Sequence, residues 1–186
     1  MTWIIKTSKI MVRPVQIEDA STLVRWWNDG NIMKDVGFNN GIKTDIVKVE
    51  KQIKNQNHSN VKLFIICDTN NKQPIGELSY GELDLNDRSC RIGIKICETN
   101  LQGKRYGHDS ICEFIKYLFT CFALNLIYID TLHTNIRAIN LYKKIGSDVI
   151  EIKKDFWTNP EGIIYDVVFL KLYKNKFLKY ISNIQK

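Results

Sequence analysis

Two stretches of this chain carry residues whose kinds and spacing suit chemistry. The first, "ETNLQGKRYGHDSICEFIKYLF" from Glu98 to Phe119, is a glycine-spaced basic loop that runs into a helical pattern. Gly103 and Gly107 let the backbone turn tightly, so that successive N–H groups can face one point. A helix beginning near Gly107 adds its positive dipole end and its unpaired N–H groups. Lys104, Arg105 and His108 bring positive charge to the same place. The chemistry suggested is phosphate binding, although a plain strand-to-helix turn would use the same glycines for geometry alone. Neither G-x-x-x-x-G-K-[ST] nor G-x-G-x-x-G occurs in this loop, which argues against the two common nucleotide cradles.

The second stretch is "NIRAINLYKKIG". Asn135, Ala138, Ile139 and Tyr142 follow i, i+3, i+4 and i+7, so they share one helix face. The small Ala138 would let an elongated ligand lie close to that helix. A tyrosine with an ordinary pKa of about 10 stays protonated and can hand its proton to a leaving group. The competing assignment is a core tyrosine with a satisfied hydroxyl.

These residues need positioning elements, and the sequence supplies them. "IMVRP" (10–14) is a strand, and Ala20, Leu23, Val24 and Trp27 mark one face of a helix that starts near Glu18 and Asp19. "NDGNIMKDVGFNNG" has loop composition, and Thr44 and Asp45 start a second helix carrying Ile46, Val49 and Ile53. "VKLFIIC", "PIGELSY" and "CRIGIKI" are three short strands joined by tight turns. Past Gly107 the positions Ile111, Phe114, Ile115, Leu118, Phe119 and Phe122 keep a helical period. "LIYIDTL" is a buried strand, and a helix runs from Thr134 or Asn135 to a stop at Gly146. Strands near 149–153 and 163–172 flank a turn containing "TNPEG". The order describes one mixed α/β (α+β) domain over residues 1–172, followed by a basic tail or short helix at 173–186.

Composition removes several function classes. The 186 residues are 44% hydrophobic and 25% charged, as expected of one globular domain. No run of about 18 apolar residues is present and the N-terminus lacks signal-peptide features, so no membrane contact and a cytoplasmic location are expected. The five cysteines are odd in number without a C-x-x-C pair, and the three histidines are far apart, so reduced thiols and no metal are expected. The net charge of +7 owes much to four lysines among the last fourteen residues. The modest balance that remains suits an anionic cofactor as well as it suits a polynucleotide, and no DNA partner is expected.

The two motifs together resemble the GNAT superfamily of acyl-CoA-dependent N-acyltransferases. The family loop [RQ]-x-x-G-x-[GA] is matched by Gln102, Tyr106 and Gly107, with Arg105 in place of the central glycine. An arginine there requires ordinary backbone dihedrals. The family pattern N-x-x-[AS]-x-x-[LF]-Y-x-K-x-G-F is matched by Asn135, Ala138, Leu141, Tyr142, Lys144 and Gly146, with Ser147 for its last position. The fold so implied is a mostly antiparallel central sheet of six to seven strands flanked by about four helices.

The resemblance also implies a chemistry. Acetyl-CoA would be the co-substrate, with no metal. Its pyrophosphate would lie on the backbone from Gln102 through Gly103, Lys104, Arg105 and Tyr106 to Gly107, with His108 nearby. Its pantetheine arm would pair with Ile94, Lys95 and Ile96 and meet Asn135, and Ala138 and Lys144 complete the cofactor set. Tyr142 would protonate the departing thiolate. Many relatives place a glutamate as base where this chain has Arg91, so Glu77 and Glu82 are the substitute candidates; each could equally be a solvated acid at a strand end. Trp26, Asp29, Phe38 and Trp157 are the candidate walls of the acceptor pocket, with Asp29 or Asp155 drawing a cationic amine; Trp26 could equally be a surface residue. The acceptor would be a small-molecule amine or a protein N-terminus. A non-catalytic module that binds acyl-CoA or RNA is the alternative, and a homodimer is an open expectation.

Overall fold

The structure, a computed structural model, describes residues 3–184. Its strands are β1 (Ile5–Lys6), β2 (Ile10–Pro14), β3 (Val61–Asp68), β4 (Pro74–Asp84), β5 (Ser89–Ile96), β6 (Leu126–Leu132), β7 (Asp148–Thr158) and β8 (Ile164–Tyr173). They form one sheet in the order β1-β2-β3-β4-β5-β6-β8-β7. Every neighbouring pair is antiparallel except β5 and β6. The α-helices are α1 (Ala20–Asn28), α2 (Gly30–Met33), α3 (Ile46–Lys54), α4 (Tyr106–Cys121), α5 (Ile136–Lys144) and α6 (Lys174–Ile184). The sheet therefore has eight strands where six to seven were expected, and six helices where about four were expected. The additions are short: β1 has two residues, and α2 is a single turn inside the stretch read as loop.

Alternation along the strands sorts side chains onto two faces, and each face has its own core. On β3, Phe64 and Ile66 join the core made with α4, α5 and α6, while Ile65 and Cys67 join the core beneath α1, α2 and α3. The first core takes Ile111, Phe114, Ile115 and Leu118 from α4, the positions that keep the helical period. The second takes Leu23, Trp26 and Trp27 from α1. Four of the five cysteines are buried, and burial pushes the Cys90 and Cys112 thiols up to about 12, away from reactivity.

Local chemistry sets the helix starts. The Asp45 carboxylate accepts from the Lys48 amide at 2.9 Å, and Asn135 accepts from the Ala138 amide at 3.1 Å. Before α1, Arg13 meets Asp19 through two bonds of 2.6 and 2.7 Å in a buried pair. Asp19 also accepts from the Gln16 amide at 2.8 Å, so β2 is locked to the helix it feeds.

The tail is a docked helix. Phe177 is fully buried against Phe119, with ring centroids 5.8 Å apart, and Lys176 pairs with Asp148. Replacing Phe177 by Ala should lower the unfolding free energy by about 3–5 kcal/mol, measured by urea denaturation. A second brace ties β3 to α4: the Tyr106 hydroxyl donates to the Asp68 carboxylate and holds its pKa below the ordinary carboxylate range. A depressed carboxylate stabilises the fold above its unfolded pKa, and the contribution is lost as pH falls through the folded value. Tyr106→Phe should therefore shrink the stability difference between about pH 6 and about pH 3, read by thermal melts at both.

Candidate active site

The single parallel pair is short. β5 and β6 are matched only at Ser89–Leu126, Cys90–Ile127 and Arg91–Tyr128, although β5 continues to Ile96 and β6 to Leu132. On its other side β5 stays paired with β4 as far as Ile96, opposite Gly76. Beyond Arg91 the strands diverge, and the edge of β5 that faces β6 is left open. A slot of about 110 Å³ occupies the divergence, between Ile94, Lys95 and Ile96 on one wall and Asn135, Ala138, Leu141 and Tyr142 on the other. Gln102 and Gly107 close one end, and Asp35 and Val36 lie over it.

The slot continues into an inner chamber of about 240 Å³ lined by Glu77, Ser79, Gly93, Asp130, Thr131 and Tyr142. Asp130 and Thr131 also line an outer chamber of about 450 Å³, with Glu82, Arg91, Phe156, Trp157 and Phe169. One groove thus passes from the basic loop, along the open edge of β5, to a cavity walled by aromatic rings and acids.

At the loop end, no amide from Gly103 to His108 has a hydrogen-bond acceptor among the described residues. Gly103 at φ 76° and Arg105 at φ 69° curl this segment in the left-handed region. The expectation that Arg105 needs ordinary dihedrals is corrected: it takes up the conformation that suits glycine, at about 1–2 kcal/mol. The strain is held by neighbours. The Gln102 amide group donates to the Ile96 carbonyl at 2.9 Å, and Lys9 donates to the Lys104 carbonyl at 2.7 Å. Gly103, Lys104 and Arg105 remain exposed. Row upon row of free N–H groups at the start of a helix, with cations beside them, fits a pyrophosphate.

Three residues expected at the cofactor point elsewhere. Tyr106 is turned to Asp68, with Lys9 4.7 Å above its ring, and His108 meets Asp109 at 2.9 Å and Tyr180 at 2.7 Å. Neither lines the slot or its chambers, and their side chains brace the loop. Lys144 is exposed on α5 and lines none of the slot or its chambers.

Tyr142 is 4% exposed, and that remnant opens on the slot and the inner chamber. Burial and the charge of Asp130 both raise its pKa, so the phenol stays protonated. Glu77 is not a solvated acid at a strand end. It is buried, with one oxygen on Lys95 at 2.7 Å and the other on the Trp27 indole at 2.9 Å. Glu82 is exposed on the outer chamber and meets Arg91 at 3.0 Å.

The acceptor-pocket candidates divide. Trp26 is fully buried and donates to Glu98 at 2.9 Å, so it is neither a pocket wall nor a surface residue. Asp29 caps α2 by accepting from the Asn31 amide at 2.8 Å and lies outside the groove. Trp157 lines the outer chamber, and Phe38 supports it edge-on at 5.5 Å. Gly37 is required beneath: a Cβ there would stand 2.1 Å from the Trp157 ring. Asn159 donates to the Gly37 carbonyl at 2.9 Å, fixing this cover to the β7–β8 hairpin. Asp155 lines none of the slot or its chambers, and its backbone amide donates to the Asp166 carboxylate at 2.9 Å. Sequence reasoning missed Asp35 and Asp130, and also Arg137, which lines the slot and donates to the Gln102 side chain at 3.1 Å; Asp35 lay in the presumed loop, and Asp130 lay in a strand read as wholly buried.

The profile of the acetyltransferase (GNAT) domain family matches residues 9–148. An uncharacterised N-acetyltransferase of Bacillus licheniformis, p20, is 21% identical over 175 residues, spanning 92% of this chain and 96% of its own. A solved spermidine N-acetyltransferase from Vibrio cholerae, in complex with CoA and spermine, superposes with a TM-score of 0.81 at 24% identity, covering 92% of this chain and 99% of that one. Mutant forms of the spermidine/spermine N-acetyltransferase from the same organism give 0.75 at 21% identity, over 93% and 98% of the two chains. The likeness to these structures is one of fold. With three quarters of its length under the family profile, the chain belongs to the GNAT acetyltransferase family and is an acetyl-CoA-dependent N-acetyltransferase.

Proposed function

We propose that this enzyme acetylates a primary amine on a small, multiply cationic acceptor of the polyamine class. The observation that carries the reading is the outer chamber, where Asp35, Glu82 and Asp130 gather beside Phe156, Trp157 and Phe169. Acids attract ammonium groups, and aromatic faces take the alkyl chain and its cations. The polyamines named for the Vibrio cholerae relative are acceptors of this kind.

Each part of the groove has a task in this reading. The unpartnered amides from Gly103 to His108, with Lys104 and Arg105, hold the pyrophosphate. The open edge at Ile94, Lys95 and Ile96 takes the pantetheine arm, and Ala138 leaves room for it on α5. A free N–H on that edge polarises the thioester oxygen as charge builds there. The acceptor amine attacks the thioester carbonyl from the inner chamber, and the proton of Tyr142 goes to the departing sulfur. Glu77 has both oxygens engaged, so its role is to fix Lys95 and the strand it stands on. Glu82, open to solvent, receives the amine's proton through water.

The assay is thiol release from acetyl-CoA against a panel of triamine, diamine, monoamine and short peptide acceptors. Activity confined to the peptides would replace the polyamine reading with N-terminal acetylation. Tyr142→Phe should lower kcat by roughly a hundredfold or more while the acetyl-CoA Kd stays within about threefold. An unchanged kcat would remove Tyr142 as the acid. Arg105→Gly should relieve the left-handed strain and raise stability by about 1 kcal/mol in a cofactor-free melt. The same variant should bind acetyl-CoA severalfold more weakly, having lost a cation beside the phosphates.

A further inference from the structure

Arg91 stands on β5 immediately before Ile92 and Gly93, at the last rung shared with β6. Its Nε donates to Glu82 at 3.0 Å, and its Nη1 donates to Asp130. All three side chains line the outer chamber, and of the three only Asp130 also lines the inner one. Asp130 is therefore the carboxylate that an amine passes on its way to Tyr142.

Glu82 is aimed there by the backbone. It sits at φ 50° in the irregular stretch between Gly81 and Asp84, where the β4–β5 pairing shifts. A bulge of this sort redirects a side chain, and a non-glycine residue in the left-handed region carries a cost that the surroundings must sustain. The result is two carboxylates clasping one guanidinium in the cavity meant for a cation.

We propose that Arg91 is a tethered competitor for the acceptor: its guanidinium fills the seat between Glu82 and Asp130, and the acceptor's ammonium group takes Asp130 from it on binding. This inference rests on the acetyl-transfer reading above and names the residues that set its charge preference. The exchange is non-covalent and leaves the charge of each partner unchanged. Arg91 swings out while retaining Glu82, and the ammonium replaces it on Asp130. The three side chains are 32%, 66% and 42% exposed, so the clasp is solvent-screened and weak enough to be exchanged. Its effect is to favour acceptors with enough positive charge to displace an arginine, and to disfavour neutral or singly charged amines. The charge of Asp130 felt at Tyr142 is consistent with a cation at that seat lying beside the acid.

The test separates a competitor from an ordinary structural ion pair, because the two predict different signs. Spermidine is titrated calorimetrically into the wild-type protein, Arg91→Gln, Arg91→Lys and Asp130→Asn, with acetyl-CoA titrated into each as a control. A competitor requires Arg91→Gln to bind spermidine roughly fivefold tighter or better, Asp130→Asn to bind it more weakly by a similar factor, and Arg91→Lys to resemble wild type. Weaker binding in both Arg91→Gln and Asp130→Asn, or no change in either, overturns the proposal, as does the absence of spermidine binding in all four proteins. Should Arg91→Gln not fold, Arg91→Met keeps the aliphatic stem and repeats the test. Thiol release is measured in parallel. Opposite signs without turnover would sink the acetyl-transfer reading alone, and turnover with signs that agree would sink this one alone.

Discussion

The parallel pairing of β5 with β6 stops after three rungs, and the rest of the molecule is arranged around that stop. Parallel neighbours need a long crossover, here α4, and its N-terminus is delivered to the mouth of the divergence. Continued pairing would have satisfied the β5 edge from within and left nothing for a ligand to bond. Early separation exposes backbone donors and acceptors that buried strands ordinarily consume. The core does not suffer for it, because Ile127 and Ile129 of β6 stay buried against α4 and α5, and β8 holds the far edge of β6 along its whole length. The opening is thus confined to one edge of two strands that are fixed everywhere else.

Charge is distributed along this groove in opposing senses. The loop end presents free N–H groups, Lys104 and Arg105; the far end presents Asp35, Glu82 and Asp130. Between them, Glu77 and Lys95 neutralise one another, with Trp27 satisfying the second Glu77 oxygen. A buried carboxylate with both oxygens bonded is silent electrostatically but mechanically useful, because it ties α1 to β4 and β5 at once. The groove therefore has an anion end and a cation end, separated by a neutral middle in which a thioester and an amine would meet.

Much of this was legible in the sequence, for a physical reason in each case. "LIYIDTL" coincides with β6 because its β-branched and aromatic residues favour a strand, although Asp130 interrupts the apolar run and is exposed, and Asp45 and Asn135 announced their helices because a cap must offer an oxygen. The basic glycine loop and the Asn135–Tyr142 stripe were visible because both depend on spacing along one element. Features that depend on a partner distant in sequence were not. Trp27 falls on the apolar face of α1 and Trp26 does not, yet both are buried, since each indole found a glutamate some seventy or fifty residues away. Tyr106 and His108 carry the right chemistry for a phosphate, but Asp68 and Tyr180 turn them aside. The two-residue β1 and the one-turn α2 are too short to leave a period. The left-handed Arg105 could not be foreseen, because propensity forbids what tertiary bracing here enforces.

The bracing of that loop has a consequence for how the protein is made. Lys9 reaches it across 95 positions of chain, and Tyr180 reaches it, through His108, across 72. Contacts so far apart in sequence close late and slowly during folding. When α5 has just been synthesised, Tyr180, the residue that steadies His108, has not yet been made. The brace on His108 can therefore close only after the final helix has been made and docks.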